Sequence, residues 1–208
     1  MLRMKHNPRK SNASIAEVSS KTTVENKLTH ASLMLSYDFD RGVDLKNRII
    51  KLTGDVDPNM WDLLDSSLNQ LESMGKSTIT IKINSGGGSI YDALAIVGRI
   101  RASKAYIVTE GYGQVMSAAT LILASGKHRK MSKYGFFMWH AQSYSAHDRH
   151  PIIKNLVEQA EREEQSWAKW MAELSSKNKD FWQKTGASLD AYFTAEELLK
   201  LGVVDEIF

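Results

Sequence analysis

The sequence predicts an α/β domain with largely parallel strands and flanking helices. Short strand patterns alternate with helical ones along most of the chain, and glycine-rich junctions follow two of the strands. No internal repeat and no second domain interrupts the alternation. At 208 residues, with 42% hydrophobic and 25% charged residues, the chain can bury one ordinary core, which excludes collagen-like, mucin-like and fully disordered classes.

The elements read in order as follows. Residues 1–33 are rich in Ser, Thr, Asn and Lys without a sustained period, and read as a basic, flexible N-terminal extension ahead of one domain over 34–208. Arg48–Leu52 is an apolar strand, and Thr53-Gly54-Asp55 reads as a turn. Asp57 can cap a helix with Pro58 at its first position, where a missing N–H costs little. Trp61, Leu64, Leu68 and Leu71 then form one apolar helical face. Ile79, Ile81 and Ile83 alternate with Thr80 and Lys82 as a half-buried strand that runs into Asn84-Ser85-Gly86-Gly87-Gly88. Ser89 caps a second helix marked by Ile90, Ala93, Leu94, Val97 and Ile100. Ala105–Thr109 is a third strand, Gly111–Gln114 a turn, and Ser117–Ala124 a small-residue helix. Phe136–His140 is an apolar strand ending in histidine. A long helix is expected over Ile152–Leu174, with a stripe through Leu156, Ala160, Trp167, Met171 and Leu174. Thr194-Ala195-Glu196-Glu197 is a capping box, and Gly202 closes that last helix before Val203-Val204.

Composition narrows the chemistry. The absence of cysteine excludes disulfides, thiol nucleophiles and thiolate metal sites, and fits a reducing compartment. No two histidines fall at metal-ligand spacing with a carboxylate, so no metal is expected. No apolar run reaches membrane-spanning length, and no apolar stretch follows the basic N-terminus as a secretory signal would require. The expectation is a cytoplasmic protein. The net charge of +3 is local: residues 1–30 carry six bases and two acids, while the remainder holds 21 bases against 22 acids. No aromatic residue interleaves the N-terminal bases, so the segment reads as solvated rather than as a nucleic-acid surface.

Three features stand at element ends, where α/β proteins place their sites. The glycine run ending at Gly88 can turn backbone N–H groups toward a phosphate or toward the oxyanion of a tetrahedral intermediate. It matches neither a dinucleotide fingerprint nor a P-loop. Ser117, in Gly113-Gln114-Val115-Met116-Ser117-Ala118-Ala119-Thr120, has the setting of a nucleophile at a strand-to-helix turn. Taken alone, it reads first as a helix cap. His140 is the one histidine among hydrophobic neighbours, and can be a general base or a hydrogen-bonded core residue.

Together the segments are specific. Leu45–Gly54, Ile83–Ser89, Gly113–Ala119, Met138-Trp139-His140-Ala141-Gln142, Phe193–Glu197 and Gly202-Val203-Val204-Asp205 occur in one order. The chain resembles the proteolytic subunit family of the Clp protease (ClpP) over roughly residues 34–208. The resemblance implies a ClpP/crotonase-like α/β fold with the long helix protruding as a handle. It implies a serine endopeptidase that cleaves unfolded polypeptides, with Ser117 as nucleophile, His140 as general base and Asp190 as the third member. Asp190 is selected because the family's aspartate lies just before the Phe-(Ser/Thr)-Ala-Glu segment; Asp180 sits too early. The backbone N–H groups of Gly88 and Ala118 correspond to the oxyanion donors. It further implies a homo-oligomer, heptameric rings stacked as a tetradecamer around a closed chamber. An AAA+ unfoldase of the Clp type would feed the chamber and use the ATP, with no cofactor, nucleic acid or membrane for this chain.

The sequence departs from the family pattern in places. Gly86 stands where a proline is usual, the link between Ser117 and His140 is slightly short, and Gln142–His150 lacks the expected glycine-rich stretch. These departures give the chain the texture of a phage-encoded or accessory homologue; the cytoplasm would be the host's if it is phage-encoded. The alternative is a phage prohead or scaffold maturation protease of the same fold acting without an ATPase. A crotonase relative uses no Ser-His-Asp set, a Ser–Lys signal-peptide peptidase has no lysine candidate here, and an inactive ring subunit would have lost one of the three groups.

Overall fold

The computed structural model describes residues 42–141, 149–187 and 189–208; the N-terminal extension expected over 1–33, and most of Gln142–His150, lie outside them. Gly42–Phe208 form one compact unit. Its elements are β1 (Val43–Asp44), β2 (Ile49–Val56), α1 (Pro58–Ser73), β3 (Ile79–Gly88), α2 (Ile90–Ala102), β4 (Ile107–Met116), α3 (Ala119–Ala124), β5 (His128–Met131), β6 (Phe136–Trp139), α4 (His150–Glu173), α5 (Lys179–Gly186), β7 (Ala191–Phe193), α6 (Ala195–Lys200) and β8 (Glu206–Ile207).

One mixed sheet runs in the order β1-β2-β3-β4-β5-β8, and β6 pairs with both β4 and β7. Strands β2, β3, β4, β5 and β8 are parallel, as is the β4–β6 pair. Only β1–β2 and β6–β7 are antiparallel among the described residues. One face of the sheet is apolar, with Ile50, Leu52, Ile79, Ile81, Ile83 and Ile107 buried against Leu64, Leu68 and Leu71 of α1 and Ala93, Ile96 and Ile100 of α2. The alternate positions carry charge. Lys82 lies opposite Glu110, Glu110 opposite Lys130, and Lys130 opposite Glu206, a row of alternating sign across four parallel strands.

Capping follows the sequence. Asp57 accepts a hydrogen bond from the Met60 N–H at 2.8 Å, Ser89 accepts from Asp92, and Thr194 and Glu197 close a reciprocal capping box. Two expected turns are strand instead. Thr53–Asp55 continues β2 through a bulge at Gly54, whose φ is +90°. Gly111–Gln114 continues β4, which shifts register against β3 between the pairs Ile83–Gly111 and Ser85–Val115. In both places glycine marks an irregularity inside a ladder, not its end. The long helix begins at His150, and only its C-terminal part buries the expected stripe. Trp167 and Met171 are core, whereas Leu156 is 48% exposed.

A half-buried ion network ties α1 to α2. Arg99 donates to Asp65 at 2.8 Å and to Glu72 at 2.9 Å, and Ser103 also donates to Glu72. The Arg99 guanidinium, with help from Ser103, holds the Glu72 carboxyl below the usual range. Its stabilisation is therefore complete above the unfolded value and lost as pH falls through the folded one. Glu72→Gln should lower stability by about 1–2 kcal/mol at pH 7. Thermal melts of both proteins should converge as pH falls from the unfolded value through the lowered folded one; a gap that persists once the carboxyl is protonated in both states would remove the carboxylate from the account.

Candidate active site

The parallel strands β3, β4 and β6 end side by side, and the groups singled out in the sequence stand at these ends. Register explains why. Met116 pairs with Met138 at the end of the β4–β6 ladder, so Ser117 is the next residue out, and its N–H donates to the Met138 carbonyl at 2.9 Å. Trp139 pairs with Ala191 at the end of the antiparallel β6–β7 ladder, so His140 and Asp190 are the next residues on their strands.

Ser117 has φ of +51°, a left-handed conformation that costs a non-glycine residue about 1 kcal/mol or more. Its carbonyl accepts hydrogen bonds from the Thr120 N–H at 3.0 Å and from the Thr120 hydroxyl at 2.5 Å, which hold the turn. The N-cap position of α3 belongs to Ala118, with no side-chain capping bond. The Ser117 hydroxyl is not a cap. Its Oγ lies 2.7 Å from His140 Nε2. His140 Nδ1 lies 3.8 Å from Asp190 Oδ1, with the histidine side chain 24% and the aspartate 56% exposed. That separation is longer than a hydrogen bond. Asp180 lies in the first turn of α5, whose last residue, Gly186, is the one that meets the backbone next to His140. A rise of ~1.5 Å per residue puts Asp180 ~9 Å back along the helix.

The glycine run forms the wall beside the serine. Ser85 is fully buried, and its Oγ accepts the Gly87 N–H at 3.1 Å, fixing Gly87 at a φ of +101°. A Cβ on Gly87 would stand 2.6 Å from the Ser117 Cβ and 2.8 Å from the Met116 carbonyl oxygen. Gly88, with φ of +147°, lies opposite Val56, but it is the Ser89 N–H that donates to the Val56 carbonyl at 2.7 Å.

The support beneath His140 is what sequence reading missed. No element is expected over Lys179–Gly186, yet α5 is there, capped by Asn178, which accepts from the Phe181 N–H at 2.9 Å. An Asn three residues ahead of a Phe-Trp pair was the available signal. The Gly186 carbonyl accepts the Ala141 N–H at 2.9 Å, and the Trp182 carbonyl accepts the Trp139 indole N–H at 2.9 Å. Among the described residues no group of three or more His, Asp and Glu stands together as metal ligands, and no helix is long and apolar enough to cross a membrane.

Comparison with known proteins gives one consistent result. The family model described as Clp protease matches residues 38–208. The chain is similar to the ATP-dependent Clp protease proteolytic subunit of Streptococcus sanguinis, at 30% identity over 173 residues, 78% of this chain and 85% of that one. It is similar to the protein of the same name in Streptococcus mutans, at 31% identity with the same coverage. The like-named protein of Carsonella ruddii is 37% identical over 86 residues, 41% of this chain and 44% of that one.

Proposed function

The chain belongs to the Clp protease family and is a serine-type peptidase, and from that premise we propose that Ser117, His140 and Asp190 are its catalytic groups. The observation that carries this reading is the 2.7 Å approach of His140 Nε2 to a serine Oγ on a left-handed backbone. With Nδ1 protonated and turned to Asp190, Nε2 accepts the Ser117 proton as Oγ attacks a peptide carbonyl. The same nitrogen then returns that proton to the leaving amine, and a water repeats the sequence on the acyl-enzyme. Asp190 keeps the imidazole in this tautomer and stabilises its cation.

The oxyanion binds the backbone N–H groups of Gly88 and Ala118. The Gly87 N–H is committed to Ser85 and the Ser89 N–H to Val56, and Gly88 lies between them. Losing one such donor typically costs about a hundred- to a thousandfold in turnover.

The substrate is an unfolded polypeptide, cut inside a chamber of heptameric rings stacked in pairs. The half of α4 with Leu156 and Val157 exposed suits apolar contact between rings. An AAA+ unfoldase of the Clp type supplies folded substrates and uses ATP, in the cytoplasm; without it the rings cut small peptides. No cofactor enters the chemistry of this chain.

The test is reaction of the assembled protein with a fluorophosphonate probe, followed by peptide mass spectrometry. A single adduct on Ser117, lost in His140→Ala, is expected. An adduct elsewhere, or none on the assembled protein, would overturn the assignment.

A further inference from the structure

We propose that Trp139 and Gly186 are positioning residues that set the orientation of His140, through a buried clamp between the β6 end and helix α5. The inference rests on the reading of His140 as the general base.

His140 sits between two hydrogen-bond donors that grip one helix. The Trp139 indole N–H donates to the Trp182 carbonyl and the Ala141 backbone N–H to the Gly186 carbonyl, each at 2.9 Å. Residues 182 and 186 are one helical turn apart on the same side of α5, so the two bonds bracket His140 against a rigid edge. The indole of Trp139 is 2% exposed. It stacks on Trp167 of α4 with centroids 5.3 Å apart and planes 12° from parallel, and meets Trp182 edge-on at 5.2 Å. Buried between two other indoles and hydrogen-bonded through its own N–H, the indole is constrained on both faces of its contact. Because successive strand residues point to opposite faces, a fixed indole below fixes the direction in which the next side chain leaves the backbone.

Gly186 is required for this approach. A Cβ there would stand 2.9 Å from the Trp139 indole nitrogen and 3.1 Å from the Ala141 nitrogen, with the indole on one side and backbone on the other. Asp190, by contrast, holds His140 only at 3.8 Å and from an exposed position. The dry, doubly bonded contact is the firmer of the two constraints, so the clamp, more than the aspartate, decides where Nε2 points.

Trp139→Phe keeps an aromatic ring in the stack and deletes one donor; Gly186→Ala inserts a methyl group into the clamp. Both should lower kcat for a small fluorogenic peptide, expressed per fluorophosphonate-titrated site, by about tenfold to a hundredfold, with KM little changed. Phe181→Leu is the control. Phe181 meets Trp182 edge-on but makes neither of the two bonds, so this variant should melt earlier at unchanged kcat per titrated site. If Trp139→Phe and Gly186→Ala behave like the control, losing melting temperature alone, the residues are structural and the proposal is overturned. If the unmodified protein carries no adduct on Ser117, the assignment of the nucleophile fails first and the clamp falls with it.

Discussion

Ser117→Ala should abolish peptide cleavage, with a fall of about 10⁴- to 10⁶-fold in kcat, because the nucleophile and base proposed here act as one unit and little chemistry survives without either. The fold tolerates the change. The structural bonds at this position come from the backbone: the N–H to the Met138 carbonyl, and the carbonyl to Thr120. The hydroxyl meets His140, and alanine at a φ of +51° is no more strained than serine. A peptide assay beside size-exclusion chromatography and circular dichroism checks both halves of the expectation. An inactive protein of unchanged assembly and melting temperature supports the assignment; residual cleavage within a hundredfold of the parent would place the nucleophile elsewhere.

Much of this site was legible in the chain because its parts lie at the ends of elements with strong local signals. Asp57 before Pro58, Ser89 after the glycines and Thr194 with Glu197 all cap helices as their residue types require. Ile79, Ile81 and Ile83 alternate as a strand with one buried face and are buried on it. The misreadings share a cause. Gly54 and the Gly111–Gly113 pair mark register shifts within long strands, and in one dimension a bulge has the composition of a turn. The relation between His140 and Asp190 could not be derived from pattern. It depends on an antiparallel ladder in which β7 contributes three residues, too few for any period to register. Family resemblance selected Asp190, and the ladder supplies the physical reason that it stands across from His140. Helix α5 escaped notice for a related reason. Its eight residues fully bury only Trp182 and Gly186 and leave most of the rest half-buried, so two turns are too short for an apolar stripe to declare itself.

The glycine run gives the second large effect. Gly87→Ala should reduce kcat by a hundredfold or more and destabilise the protein as well, about 1–2 kcal/mol from the left-handed backbone alone. The φ of +101° at Gly87 is a conformation that a side chain rarely adopts, and the added methyl has nowhere to go. It would stand 2.6 Å from the Ser117 Cβ, 2.8 Å from the Met116 oxygen and 3.1 Å from the Ala118 nitrogen. Two of those neighbours are backbone atoms in the strand and turn that carry Ser117, so relief must come from moving Ser117 or unseating the glycine run. Either movement lengthens the 2.7 Å contact to His140 and shifts the N–H groups assigned to the oxyanion. Gly86→Ala, one residue earlier, is the discriminating comparison: a Cβ there meets only the end of the Gln114 side chain at 3.9 Å, so that variant should keep most of its activity. Measuring kcat, KM and melting temperature for the pair separates a packing requirement at the nucleophile from a general need for loop flexibility. Equal losses in both variants would favour flexibility; loss confined to Gly87→Ala would show that close backbone approach to Ser117 is what the run provides.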